Sequence, residues 1–539
     1  MKKIILLIII VGQIYSQNIR NNFFIQPDSI KKHLQFLASD SLEGRGTGSK
    51  GEIFASNYIA NKFEKIGLKK LPNGTYFQNI LLHGSQALEN SELYLKNGSE
   101  ELKLKLIDDY LLFNTNSLNY IPQYRDIVFV GYGIVAPEYD YNDYYELDVE
   151  NKVVIFLDGE PKSVDPSYFD GDNPTIHSNI ELKNRVAFSR GAIATILIPI
   201  FSYKNWEYVQ NEFNKENISL AHFVNQNLNI IINPTVLDFI FKGAEKNIKN
   251  IIDDYINNKI KSFNLKTKLK FKGSFKERTF ISRNVIGYIE GSDKKLKDSY
   301  IIVSAHYDHL GIGKPVGNDS IYNGALDNAI GVSVMLEIAR AIVQNKFLSK
   351  RTIIFIATTG EEYGLLGSKF YVENPVFPLY KTVADINIDG VAINRNFEGI
   401  IGIGAEFSTL KKTLQNLAND KKIYVENIPD EFKKMGEFNL SDQLSFAQAG
   451  IPSILIYEGL KNKDKSEDKV IKSFYDYMSK KYHTPFDDLN QDIDYIAAVQ
   501  HAQFLTDFIL KISNSESEPE WFDGVEFNNV RLNNRAEKK

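Results

Sequence analysis

Cysteine is absent from all 539 residues. That zero excludes disulfide frameworks, thiolate metal sites, iron–sulfur clusters and cysteine nucleophiles, so a metal site in this chain must be built from His, Asp and Glu. Positive charge is not in excess either. The chain has 63 Lys and Arg against 68 Asp and Glu, a net charge of −5, which leaves no basic field to hold nucleic acid or an anionic membrane. Beyond the N-terminus no apolar run approaches the ~20 residues needed to cross a bilayer, and no repeat of fixed period is found. What remains is ordinary for a soluble globular chain, 43% hydrophobic and 24% charged, with room for about two to four domains.

The N-terminus reads as an export signal. Lys2 and Lys3 precede an apolar run from Ile4 to Val11, and small Ser16 follows. This is the charged, greasy and small-residue order of a secretory leader, with cleavage expected between Ser16 and Gln17. The mature protein is therefore expected to be exported, periplasmic or secreted, without stable membrane insertion.

The chain divides by pattern. Residues 17–80 carry two amphipathic helical stretches around a glycine-punctuated loop, Gly44-Arg45-Gly46-Thr47-Gly48. Residues 81–280 offer short β-like runs. From 281 to 512, continuous apolar runs such as Ile301–Ala305, Ile353–Ala357 and Val383–Ile388 alternate with helical stretches, the signature of strands buried on both faces. The expected core is an α/β fold, a three-layer α/β/α sandwich on a mostly parallel mixed sheet with a β-rich insert. Residues 513–539 read as a polar, loosely attached tail.

In such sheets chemistry collects where strands run out. Ile301–Ala305 is followed by His306-Tyr307-Asp308. Ala325-Leu326-Asp327-Asn328 precedes an amphipathic helix, Ile353–Ala357 leads to Glu361-Glu362, Val383–Ile388 to Asp389, and Tyr482-His483 comes late. Any one of these has a plain structural explanation, a cap or a turn. Their occurrence on successive strand ends points to a metal site. Nitrogen and oxygen donors without thiolates suit zinc. Two zinc ions need a bridging carboxylate, and Asp327 is placed to provide it. His306 and Asp389 would complete one site and Glu362 and His483 the other. Asp308 is expected to orient the imidazole of His306. Glu361, adjacent and unligated, is free to act as general base.

The ordered set His306-x-Asp308, Asp327-Asn328-x-x-Gly331, Glu361-Glu362, Asp389 and Tyr482-His483 resembles the M28 family of co-catalytic zinc peptidases, over roughly residues 28–80 and 281–512. The resemblance implies the zinc exopeptidase fold, two zinc ions, a peptide substrate and the roles above, with metal-activated water as nucleophile. It also implies that Tyr482 steadies the oxyanion. Ser441-Asp442-Gln443 departs from a family segment that often reads Ser-Asp-His. Between about 120 and 235, Gly131-Tyr132-Gly133, Asn151–Leu157 and Phe188–Ala192 resemble a protease-associated (PA) domain. The expected activity is that of an aminopeptidase. A carboxypeptidase of the same family, a one-metal relative like glutaminyl cyclase and a non-catalytic receptor-like homologue are the alternatives. A carboxypeptidase would need an arginine for the substrate carboxylate, and Arg395 is the one expected near the site, with Arg125, Arg185 or Arg190 reaching in from the insert. Oligomeric state is left open.

Overall fold

The computed structural model describes residues 24–538 except 114, 116–119, 166, 172–173, 200–204, 224–226, 345–348 and 430–435. The expected export signal lies outside the described residues. Among those described, no helix is long and apolar enough to cross a membrane.

Nine strands form the main sheet: β1 (Phe77–Ala87), β2 (Asn217–Leu220), β3 (Phe275–Ile289), β4 (Tyr300–His306), β5 (Thr352–Thr358), β6 (Thr382–Asn387), β7 (Gly399–Ile403), β8 (Tyr424–Val425) and β9 (Ser453–Glu458), in the order β2-β1-β3-β5-β4-β6-β9-β7-β8. The centre, β5-β4-β6-β9, is parallel. The flanking pairs β2-β1-β3-β5 and β9-β7 are antiparallel. The sheet is thus mixed, with its parallel strands where the apolar runs are longest. Side-chain alternation accounts for two buried faces. Ile301, Val303 and Ala305 point into one apolar cluster while Ile302 points into another, and Ile353, Phe355 and Ala357 are likewise opposed to Ile354 and Ile356.

Helices α1 (Pro27–Leu37) and α2 (Lys50–Ile66) open the chain, and α3 (Trp206–Phe213) lies in the insert. They are followed by α4 (Ile330–Gln344), α5 (Glu467–Lys480), α6 (Tyr495–Asn514) and α7 (Glu526–Glu537). α1, α2, α4 and α6 contribute to the first cluster. Twelve of the fifteen residues of α4 are buried, so it is apolar nearly all round, as a helix enclosed by others must be.

The insert has its own eight-stranded sheet, built from strands between Glu92 and Lys272. The expected boundaries at 81 and 280 fall inside β1 and β3, because both strands run on in the main sheet, to Ala87 and from Phe275. One stretch of the insert returns: β2 pairs antiparallel with β1 and extends the main sheet at its edge.

The C-terminal segment corrects the expectation of a loose tail. Trp521 is 5% exposed, its indole N–H donates to the Gly450 carbonyl at 3.0 Å, and its ring lies 5.2 Å from that of Phe527. Arg531 of α7 is buried and donates to the Leu379 carbonyl at 3.2 Å. A few apolar residues among polar neighbours suffice to dock the helix, and average polarity conceals them.

Candidate metal centre

The carboxyl ends of β5, β4 and β6 lie side by side, so the residues just beyond them share one rim of the sheet. His306 ends β4, Glu361 and Glu362 follow β5, and Asp389 follows β6. Asp327 is delivered by the loop before α4 and His483 by the turn after α5. The Nε2 of His306 stands 3.2 Å from Asp327 Oδ1 and 3.2 Å from Asp389 Oδ1. The Nε2 of His483 stands 3.3 Å from Asp327 Oδ2 and 3.3 Å from Glu362 Oε2. All five expected ligand residues therefore converge, and the two oxygens of Asp327 face opposite halves of the cluster.

These spacings test the donor set. Tetrahedral donors at 2.0–2.1 Å from a zinc ion stand about 3.3 Å from one another, which is the spacing found. Three carboxylates and two imidazoles, with no thiolate available, are the donors zinc takes in hydrolytic sites. The residues fit the group.

Burial sets the electrostatics. Burial and Glu362 oppose ionisation of Asp327, but His309, His306 and His483 outweigh them and hold its carboxyl well below the usual range. Glu362 is likewise driven well below it, against burial, by His483 and His309. Glu361 goes the other way. Burial, only partly opposed by His306, and the charges of Asp389, Glu362 and Asp442 push its carboxyl well above the usual range. Two adjacent glutamates with opposed proton affinities are the mark of divided roles. Among the described residues the Glu361 carboxyl takes no hydrogen bond.

Asp308 departs from expectation. The Nδ1 of His306 lies 3.2 Å from the backbone carbonyl of Asp308, while the carboxylate is 3.9 Å away. The carboxylate instead accepts from Thr47 Oγ1 at 2.9 Å and from the Glu361 N–H at 3.2 Å. The backbone turn after β4 brings the carbonyl back under the ring, so the side chain is left to fix the glutamate loop. Tyr482 stacks on His483, ring centroids 3.9 Å apart, at the exposed edge of the cluster. Arg395 is bound to Asp494 at 2.7 Å, and the Arg190 guanidinium lies over Tyr144.

The sequence reading gave no positioning role to several residues that hold the site. Arg45 is fully buried and donates to the carbonyls of Tyr307, Leu37, Asn323 and Gly324 at 2.5–3.0 Å, clamping the loops that carry His306 and Asp327. Asp487 accepts the N–H groups of Leu326 and Asp327 at 3.0–3.1 Å, tying the turn after His483 to the bridging segment. Asn328 donates to the Ile388 carbonyl at 2.7 Å and accepts from Gly390 N–H at 3.0 Å, bracketing Asp389. Gly331 is needed there, since a Cβ would come within 2.0 Å of Asn328 Oδ1. Gln443, where the resemblance departs, accepts from Asn387 Nδ2 at 2.7 Å and so steadies the strand leading to Asp389. From the insert, Glu212 of α3 places Oε1 3.7 Å from His483 Nδ1, and Lys215 donates to the Glu362 carbonyl at 3.4 Å. His309 was passed over although it directly follows Asp308. Its Nδ1 lies 2.6 Å from Glu362 Oε1. The signal was there in a second histidine within one short loop.

Residues 284–509 match Peptidase family M28. This part of the chain is similar to the M28 peptidases. A glutamate carboxypeptidase 2 homologue of Caenorhabditis elegans is 32% identical over 191 residues, covering 34% of this chain and 22% of that protein. Aminopeptidase YwaD of Bacillus subtilis is 30% identical over 173 residues, 32% of this chain and 34% of that one. This chain thus aligns with no more than about a third of either relative's length. In three dimensions the aminopeptidase from Aneurinibacillus sp. strain AM-1 is similar over 90% of this chain and 93% of its own, with a TM-score of 0.54 at 19% identity. That likeness is one of fold. The M28 match begins at Asn284, so the insert's own sheet lies outside it, while all five converging donors lie within.

Proposed function

We propose that this chain is an exported two-zinc exopeptidase that trims peptides from the amino end. The observation that carries the reading is the convergence of five side chains from distant stretches with donors 3.2–3.3 Å apart. His306 and Asp389 would hold one ion, Glu362 and His483 the other, and Asp327 both. Zinc bound there supplies Lewis acidity toward the scissile carbonyl and acidifies water. Glu361, whose carboxyl takes no hydrogen bond among the described residues, takes the proton from the attacking water and returns it to the leaving amine. Tyr482, held by its stack on His483, is placed at the rim to donate to the developing oxyanion.

Amino-end trimming is favoured by charge. The cluster is rich in carboxylates that attract an α-ammonium group. Arg395, the arginine expected for an α-carboxylate, is already engaged by Asp494, and Arg278 by Glu216. A carboxypeptidase is the second reading, favoured by the name of the nematode relative. The insert is read as a PA-like guide beside the cleft, supported by the placement of Glu212 and Lys215 against the site. Hydrolysis of amino-blocked and carboxyl-blocked dipeptides, with zinc and with a chelator, tests activity and polarity together. Cleavage of only the carboxyl-blocked set, abolished by the chelator, is expected. Cleavage of only the amino-blocked set would reverse the polarity, and no cleavage of either would refute the activity. Export is tested by finding mature protein beginning at Gln17 outside the cytoplasm.

A further inference from the structure

His309 is fully buried, sits within the cluster and has no part in the ligand set proposed above. Two roles are open to an imidazole so placed, a further metal donor or a group that holds one. The distances separate them. The ligand pairs stand at the 3.2–3.3 Å spacing of donors that share a zinc ion. His309 Nδ1 does not: it is 2.6 Å from Glu362 Oε1 and 3.7 Å from Asp327 Oδ2. The short distance is that of a charge-assisted N–H···O hydrogen bond. It is also made to the other oxygen, since His483 addresses Oε2 of Glu362 and His309 addresses Oε1.

The ring's surroundings select its tautomer. Its Nε2 is buried with no hydrogen-bond partner among the described residues. Nε2 is therefore unpartnered in either tautomer, and Nδ1 decides: a proton on Nε2 would aim the bare Nδ1 lone pair at the Glu362 carboxylate 2.6 Å away. A proton on Nδ1 replaces that repulsion with a hydrogen bond. The ring is fixed in place as well. It packs on Gly324, where a Cβ would come 2.5 Å from ring atoms, and the His309 backbone N–H donates to the Arg45 carbonyl at 3.3 Å.

We infer that His309 is a positioning residue: its Nδ1–H holds Oε1 of Glu362, so that the carboxylate presents Oε2 alone to the second zinc position. This rests on the two-zinc reading above. It extends the pattern in which an outer group orients a metal ligand, with the usual partners exchanged, since here an imidazole orients a carboxylate.

The test is metal binding rather than turnover. Full-length protein is stripped, reloaded with zinc, and titrated against a competing chelator. X-ray absorption on the loaded protein counts imidazoles per metal. Wild type is expected to take two ions. His309→Ala is expected to take two as well, one of them held about 10–100-fold more weakly, with the imidazole count unchanged. His309→Asn, whose amide N–H can stand where Nδ1–H stands, is expected to recover most of the loss and checks that the pocket tolerates change. Wild-type affinity at both positions in His309→Ala would overturn the inference. So would loss of one imidazole from the metal shell in both variants, which would make His309 a ligand. A wild type that takes fewer than two ions would instead overturn the two-zinc reading on which it rests.

Discussion

At the scale of single residues, the two neighbouring glutamates show how little distance separates different jobs. Glu362 faces two imidazoles, His309 and His483, which hold its carboxyl well below the usual range. Burial and the charges of Asp389, Glu362 and Asp442 raise the proton affinity of Glu361, as a base that takes a proton from water needs. Glu361→Gln should therefore keep wild-type zinc content, measured by atomic emission, while kcat on a good peptide falls about 10²–10⁴-fold. Loss of metal would exchange the roles of the pair. Asp327 presents one oxygen to His306 and the other to His483. Asp327→Ala should consequently empty both positions, and a variant that retains two ions would show that no bridge exists. The residues of this pair of predictions were all legible in the sequence, because strand ends in an α/β pattern are where such groups matter. His309, Arg45 and Asp487 were not, because each acts through a partner more than 50 positions away.

At the scale of elements, α6 carries a buried titratable group that is not one of the proposed ligands. His501 is fully buried, and its Nδ1 accepts the Ala392 N–H at 3.0 Å, so the ring is neutral. Burial lowers its pKa from 6.5 to about 4. Between those values the unfolded chain binds a proton that the folded one refuses, so stability is present above pH 6.5 and is lost as pH falls toward 4. The gap is worth about 3 kcal/mol. Thermal melting from pH 7 to 4 should show this loss, and His501→Asn, which keeps an acceptor for Ala392, should flatten the profile. The C-terminal helix gives a second element-scale prediction. Trp521 anchors it through one hydrogen bond and a buried ring. Trp521→Ala should cost about 3–5 kcal/mol and expose the chain after residue 514 to limited proteolysis. An unchanged cleavage pattern would mean that α7 is held by other contacts.

At the scale of the molecule, the insert and the part that matches M28 are not merely adjacent. The chain leaves the main sheet after β1, builds a second sheet, and returns briefly as α3 and β2 before finishing it. That return brings Glu212 to 3.7 Å from His483 and Lys215 to 3.4 Å from the Glu362 carbonyl, so zinc retention is expected to respond to how the insert sits. At 3.7 Å the Glu212 contact is longer than a hydrogen bond, which puts its effect at the weak end of outer-shell influence. Glu212→Ala should weaken zinc retention by about tenfold in a chelator titration. No change would leave the insert without a grip on the metal centre.

The sequence by itself determined the parts that depend on local pattern. Apolar runs bounded by turns announced the buried parallel strands, and the acids and histidines at their ends announced the cluster, because side-chain period and strand length are properties of neighbours in the chain. Only the tertiary structure decided which carboxylate oxygen faces which imidazole, that Asp308 secures the Glu361 loop rather than His306, that a polar tail is docked, and that the insert reaches the site. Those depend on pairings across hundreds of residues, and hydrogen bonds between distant loops leave no periodic trace in the chain that makes them.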